Sequence, residues 1–119
     1  MIFALDTDDG AVKALASAAE AGAHCKPIDV EDGYWLFFAD DGSPLEARFE
    51  RAGRAGGDAA LPTAFALQRA MSGLWLQERL DRVSAVNGCG LSSVEQLAET
   101  LRINRGKRIP PPPAKGLPR

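Results

Sequence analysis

The sequence predicts an α+β fold, with a four-stranded, mostly antiparallel sheet packed with helices. A single small domain over residues 1–104 is followed by a flexible, basic, proline-rich tail over residues 105–119. The chain has 119 residues, of which 45% are apolar and 25% charged, and this suits one core without metal or disulfide staples. Strand-like and helix-like patterns occur in separate blocks, in the order β-α-β-β-β-α-α. This order favours an α+β fold over a regularly alternating parallel sheet.

The first predicted elements are a strand and a helix. Residues 2–5 form a continuous apolar run that is long enough for a buried strand and too short for a helix. Residues 9–21 have apolar residues at helical spacing, and they are rich in alanine, which favours helix. Gly22 follows at the position where a left-handed C-terminal cap is expected. We therefore predict a helix over residues 9–21.

A three-stranded antiparallel meander is predicted over residues 27–50. Its first strand contains Ile28 and Val30, which alternate with polar residues, and an Asp-Gly pair at 32–33 indicates a tight hairpin after it. Residues 34–39 are apolar on both alternating faces, so we predict an interior strand there. The last strand, over residues 45–49, alternates apolar and charged residues and has one solvated face.

Two helices are predicted in the second half of the chain. Residues 51–60 are rich in glycine and alanine; two arginines there resemble parts of an anion site, but we expect a flexible connection. A long helix, either kinked or divided in two near Ser72-Gly73, is predicted from Pro62 to residue 86, and residues 87–90 then end it. Ser92 or Ser93 is expected to cap a last helix, which ends near residue 104, before four consecutive prolines.

Charges are sorted along the chain, although the net charge is only −2. Residues 1–50 contain eleven acids and three bases, whereas six bases and no acid follow from Arg102 onward. We expect a solvated basic tail close to an acidic domain; the alternative is a tail that binds phosphate or an acidic partner. The sequence has neither a long apolar run nor a signal-like start, so we expect a cytoplasmic protein without membrane contact. Cys25 and Cys89 are expected to be free thiols.

Three aspartates follow the first predicted strand, in the run Asp6-Thr7-Asp8-Asp9-Gly10. With the apolar residues before them, they resemble the first motif of haloacid-dehalogenase-like phosphatases. This resemblance implies that Asp6 is a nucleophile and Asp8 an acid and base, both beside a magnesium ion and a substrate phosphate. In the alternative, which we expect, Thr7 or Asp8 caps the following helix. We assign no catalytic, metal-binding or cofactor-binding residue, and His24, the single histidine, lacks partners for a zinc site.

Residues 83–97 resemble a helix-hairpin-helix element, in which a glycine turn between two helices grips a nucleic-acid backbone. The resemblance implies that Gly88, Cys89 and Gly90 approach a phosphate. The bases that follow would add phosphate contacts, and they are Arg102, Arg105, Lys107 and Arg108. A plain helical hairpin with a glycine C-cap and a serine N-cap is the alternative.

These patterns lead us to predict a small non-enzymatic protein-interaction module that binds a protein partner or a second copy of itself. Nucleic-acid binding through the glycine turn and the basic residues is the second interpretation, and magnesium-dependent phosphatase activity at the aspartates is the third. The proline run is either a preformed extended ligand or a spacer, and we expect a spacer.

Overall fold

The computed structural model describes residues 1–51 and 62–108. In sequence order the elements are β1 (Ile2–Asp6), β2 (Ala11–Leu15), α1 (Ala18–His24), α2 (Pro27–Glu31), β3 (Trp35–Ala39), β4 (Pro44–Arg51), β5 (Pro62–Arg69), a 3-10 helix (Leu76–Arg82), β6 (Ala85–Asn87) and α3 (Val94–Arg108). The predicted connection over residues 51–60, apart from Arg51 in β4, and the proline run lie outside the described residues. Across the described part of the protein, no helix is long and apolar enough to cross a membrane.

The strands form one mixed sheet in the order β5-β4-β3-β1-β2-β6. Neighbouring strands are antiparallel except β2 and β6, which are parallel. The α+β class is confirmed. The prediction of four strands in the order β-α-β-β-β-α-α is wrong, because the described residues contain six strands and three segments change type.

The predicted helix over residues 9–21 is the first of these errors. Residues 11–15 are β2, which pairs with β1 in a hairpin where Phe3 lies opposite Ala14 and Leu5 opposite Val12. Val12 and Ala14 are buried at a period of two, and pairing with β1 and β6 outweighs the weak helix preference of alanine. The helix begins later, where the Ser17 hydroxyl accepts a hydrogen bond from the backbone N–H of Glu20 at 3.4 Å.

The first strand of the predicted meander is absent from the structure. Residues 27–31 form α2, in which Pro27 occupies the first helical turn and Val30 is buried. The other two predicted strands are present as β3 and β4, joined by a turn at residues 40–43. The prediction that residues 34–39 form an interior strand is confirmed for β3, which lies between β1 and β4.

The predicted long helix over residues 62–86 is also wrong, because this segment forms β5, the 3-10 helix and β6. Phe65 and Leu67 face the core at a period of two and lie opposite Phe49 and Ala47 of β4. The last predicted helix is confirmed as α3. The Ser93 hydroxyl accepts a hydrogen bond from the Gln96 N–H at 3.1 Å, and α3 continues to residue 108, beyond the expected end.

Each face of the sheet carries its own apolar core. On one face, α1 and α2 pack over a cluster that includes Leu15, Ala21 and Phe37. On the other, residues of β1, β2 and β6 pack with the 3-10 helix and with Leu97 and Leu101 of α3. This second layer is incomplete, because Glu46, Arg48 and Glu50 of β4 are exposed on that face. The open part of the sheet begins at β3, next to the 3-10 helix.

Candidate interaction groove

A groove runs over β3 where the 3-10 helix stops covering the sheet. It consists of two cavities, of about 220 Å³ and about 150 Å³, that adjoin because Leu36 and Arg79 line both. The larger cavity is also lined by Phe38, Pro44 and the loop 70–74, and the smaller one by Leu5, Asp6, Thr7, Gly10 and Arg82. We call these two cavities together the Arg79 groove.

Hydrogen bonds at both ends fix the 3-10 helix that forms one wall of the Arg79 groove. At its start, the backbone N–H of Leu76 donates to the carbonyl oxygen of Gly42, and the Gln77 amide donates to that of Asp41, each at 2.8 Å. After its end, Ser84 donates from its N–H and its hydroxyl to the β1–β2 turn, at 2.9 Å and 2.6 Å. The fully buried Leu76 adds an apolar anchor. The wall is therefore held to two separate turns of the sheet.

Arg79 and Arg82 are cations of the groove that have no counter-ion among the described residues. The Nε–H of Arg79 is buried and has no hydrogen-bond partner in that part of the protein, and its guanidinium carbon lies 6.0 Å from the centroid of the Phe38 ring. Arg82 is exposed beside it. Among residues 1–51 and 62–108, neither arginine forms an ion pair; those that occur are Glu31–Arg51 and Glu99–Arg102. A buried donor that has lost water without gaining an acceptor is unfavourable.

Two acids also line the Arg79 groove, and both already have local partners. Asp6 Oδ1 accepts hydrogen bonds from the backbone N–H groups of Asp8 at 2.8 Å and Asp9 at 3.4 Å. Glu46 Oε2 accepts one from the Gln68 amide at 2.5 Å. These carboxylates stabilise the β1–β2 turn and the β4–β5 pair. Within the described residues, the groove therefore combines engaged acids with arginines that lack an anion.

Apolar groups are exposed at the end of the groove opposite Asp6. Leu74 is 47% exposed and lines the larger cavity, and Met71 in the same loop is 97% exposed. Leu36 and Pro44 are only half-buried on the floor. Exposed apolar side chains grouped around a groove are typical of an interaction site.

The predicted helix cap at the N-terminal aspartates is wrong, because β2 follows them directly in place of a helix. Asp6 and Asp9 instead stabilise the β1–β2 turn, and Asp9 Oδ1 accepts a hydrogen bond from the Ala11 N–H at 2.9 Å. Such side-chain bonds to backbone two residues on are typical of aspartate in turns. Over residues 1–51 and 62–108, no group of three or more His, Cys, Asp or Glu residues is placed to hold a metal ion.

The predicted nucleic-acid contacts lie in two places. Gly88, Cys89 and Gly90 follow the strand β6, which takes the place of the first helix of the expected helix-hairpin-helix element. The bases lie on the C-terminal half of α3, where Lys107 is about 20 Å from the start of the helix. Arg102 pairs with Glu99, and the Arg105 guanidinium lies 4.7 Å from the centroid of the Trp75 ring. Arg108 is the last residue of α3.

Both cysteines are free, as predicted, and they differ in environment. Cys25 follows α1 and is buried; burial raises the pKa of its thiol to about 11. Cys89 is exposed, and its Sγ lies 3.5 Å from the carbonyl oxygen of Ala14. His24 ends α1 and is exposed.

Comparisons with protein-family models, with curated proteins and with solved structures found no match to this protein. The candidate site is therefore identified from the geometry of this protein alone. Sequence reasoning missed Arg79 and Arg82, because no local motif marks them and only the packing of the 3-10 helix beside β3 brings them to the groove.

Proposed function

We propose that this protein is a non-enzymatic interaction module that binds an extended segment of a partner protein in the Arg79 groove. The observation that carries the proposal is the open floor over β3, where half-buried Leu36 and Pro44 meet the exposed Leu74. Covering these side chains removes apolar surface from water and stabilises a complex by about 25 cal/mol per Å² of apolar area.

The size of the groove favours side chains of a partner over a small-molecule ligand. Its two cavities, of about 220 Å³ and about 150 Å³, are each below the range of about 300–1,000 Å³ typical of ligand pockets, and a neighbouring cavity of about 320 Å³ that shares Leu74 and Arg79 lies at the lower limit of that range. They adjoin each other, as expected for a surface that receives neighbouring side chains of one extended segment. β3 is an interior strand, so recognition here uses side chains and does not add a strand to the sheet.

A selection from displayed random linear peptides, with the full-length protein as bait, tests the proposal. We expect enriched peptides to bind the wild type and to bind the Leu74→Ser variant about tenfold more weakly, because Leu74 lines the groove. The matched control is Ile103→Ser, since Ile103 on α3 is 43% exposed and lines none of the cavities described above. Failure to enrich any peptide, or equal binding to Leu74→Ser, contradicts the proposal.

The other interpretations of the sequence remain predictions with their own measurements. Binding of DNA and RNA, titrated with salt, tests contacts by Arg102, Arg105 and Lys107; self-association is tested by the dependence of molar mass on concentration. Phosphatase turnover with magnesium, compared between the wild type and Asp6→Asn, tests the third interpretation.

A further inference from the structure

We propose that the segment bound in the Arg79 groove carries a carboxylate next to an apolar side chain, and that Arg79 and Arg82 bind this carboxylate. This inference rests on the proposed function, since it specifies which partner segment the groove accepts. The carboxylate belongs to an aspartate or a glutamate of a partner protein.

The requirement for an acceptor comes from Arg79. Its Nε–H is buried without a partner among the described residues, although most buried donors in folded proteins are hydrogen-bonded. Nearby carboxylates do not supply it: Asp6 and Glu78 accept hydrogen bonds from backbone N–H groups and Glu46 accepts one from Gln68. Asp81 lines a neighbouring cavity with Arg79 and Arg82, but it forms no ion pair with either arginine among the described residues. Because the Nε–H is buried, the Arg79 side chain must turn toward the groove to meet an acceptor from a partner, and this turn would break none of these bonds.

A carboxylate suits this position better than a phosphate. A guanidinium binds either group through two parallel hydrogen bonds, so hydrogen-bond geometry alone does not choose. A phosphate monoester carries nearly two negative charges, and it would lie in a groove that is also lined by Asp6 and Glu46. A carboxylate carries one charge, which limits that repulsion, and it is less costly to remove from water beside an apolar floor.

The layout of the groove also predicts the spacing of the two groups. Arg79 lies where the two cavities adjoin, and the apolar lining of Leu36, Phe38 and Leu74 belongs to the larger cavity. Residues i and i+2 of an extended segment point to the same side, about 7 Å apart. We therefore expect the enriched peptides to share an acidic residue within two positions of a Leu, Met or Phe.

The test compares an enriched peptide with its matched amide version, in which Asp is replaced by Asn or Glu by Gln. We expect the amide peptide to bind the wild type at least tenfold more weakly. Arg79→Lys keeps the positive charge but loses the Nε–H and the planar guanidinium group. Arg82→Gln removes one exposed positive charge. Each variant should bind the acidic peptide more weakly than the wild type does. Arg102→Gln on α3 is the charge-matched control and should bind like the wild type.

The difference between the two peptides should shrink in Arg79→Lys, because the acid then lacks its partner. In ¹⁵N spectra of the wild type, the Arg79 Nε–H signal should shift with the acidic peptide and not with the amide peptide. If Arg79→Lys fails to fold, the amide peptide and Arg82→Gln still test whether the groove binds a carboxylate.

Equal binding of the acidic and amide peptides overturns the carboxylate assignment, as does a consensus without an acid. Tighter binding of a phosphoserine version than of the acidic peptide overturns it in favour of phosphate. In both cases the loss of binding in Leu74→Ser would persist, so the groove itself would stand. If no peptide is enriched, or if Leu74→Ser binds normally, the proposed function fails instead.

Discussion

Replacement of Gly88 by alanine should destabilise the fold much more than replacement of Gly90. Both glycines have positive φ, 98° and 80°, so an alanine at either position is strained by about 1–2 kcal/mol. At Gly90 the added Cβ would meet no atom of the described residues within 4 Å. At Gly88 it would lie 3.1 Å from the backbone nitrogen of Ala14 and would overlap the Ala14 carbonyl oxygen.

Strand β2, which contains Ala14, is held between β1 and β6 and cannot move away at little cost. Overpacking of this kind adds about 1–3 kcal/mol, so Gly88→Ala should lower the free energy of unfolding by about 2–5 kcal/mol. Urea denaturation followed by circular dichroism measures both variants. Equal losses in Gly88→Ala and Gly90→Ala would contradict the placement of β2 beside β6, because Gly88 lies against Ala14 only in that arrangement. Gly90→Ala is therefore the better variant for testing whether the glycine turn binds nucleic acid, because it should perturb the fold less than Gly88→Ala.

The remaining predictions concern the thiols and the α3 cap. In the native protein, Cys89 should react with a thiol reagent and Cys25 only after unfolding; two equally fast native thiols would contradict the burial of Cys25. Because burial raises the pKa of the Cys25 thiol from 9.0 to about 11, the stability that its neutral form contributes is present below pH 9 and lost as the pH rises through 11. Cys25→Ala should lack this part of the alkaline loss in a pH series of urea denaturation curves. Ser93→Ala should lower the free energy of unfolding by about 1 kcal/mol, whereas no change would show that the Gln96 N–H is satisfied without the hydroxyl.

The β1–β2 hairpin shows how local signals compete in this sequence. An Asp-Gly pair at residues 9–10 lies between β1 and β2 and is a strong hairpin signal. The Asp-Gly pair at residues 32–33 is the same signal, but no hairpin forms there. Five alanines over residues 11–19, and Val12 and Leu15 at helical spacing, favoured helix instead. Pairing on both sides of β2 decides the outcome, and this pairing depends on β6, more than 70 residues further along the sequence.

Proline was informative about helix starts only where no strand partner was available. Pro27 begins α2, as its fixed φ allows, whereas Pro62 begins the edge strand β5, in which alternate residues Phe65 and Leu67 pack on the core. The last helix was predictable because its signals agree: Ser93 caps it and Leu97 and Leu101 face the core at a spacing of four.

The candidate site was hardly predictable from the sequence. Leu36 and Phe38 were expected to be buried on an interior strand, and Phe38 is; the partial exposure of Leu36 depends on where the 3-10 helix ends its cover of the sheet. Arg79 and Arg82 lie in a segment that also contains Glu78 and Asp81, and such mixed charge is typical of an ordinary solvent-exposed surface. Only the tertiary arrangement leaves these two cations beside an apolar floor.

A chemical-shift map of the ¹⁵N-labelled protein, titrated with an enriched peptide, shows which surface of the protein binds the peptide. We predict that the largest backbone shifts fall on residues around Leu36, Leu74 and Arg79, at the floor and wall of the groove. Shifts concentrated instead on the exposed face of α3 around Arg102 and Lys107, with the groove unchanged, would contradict it.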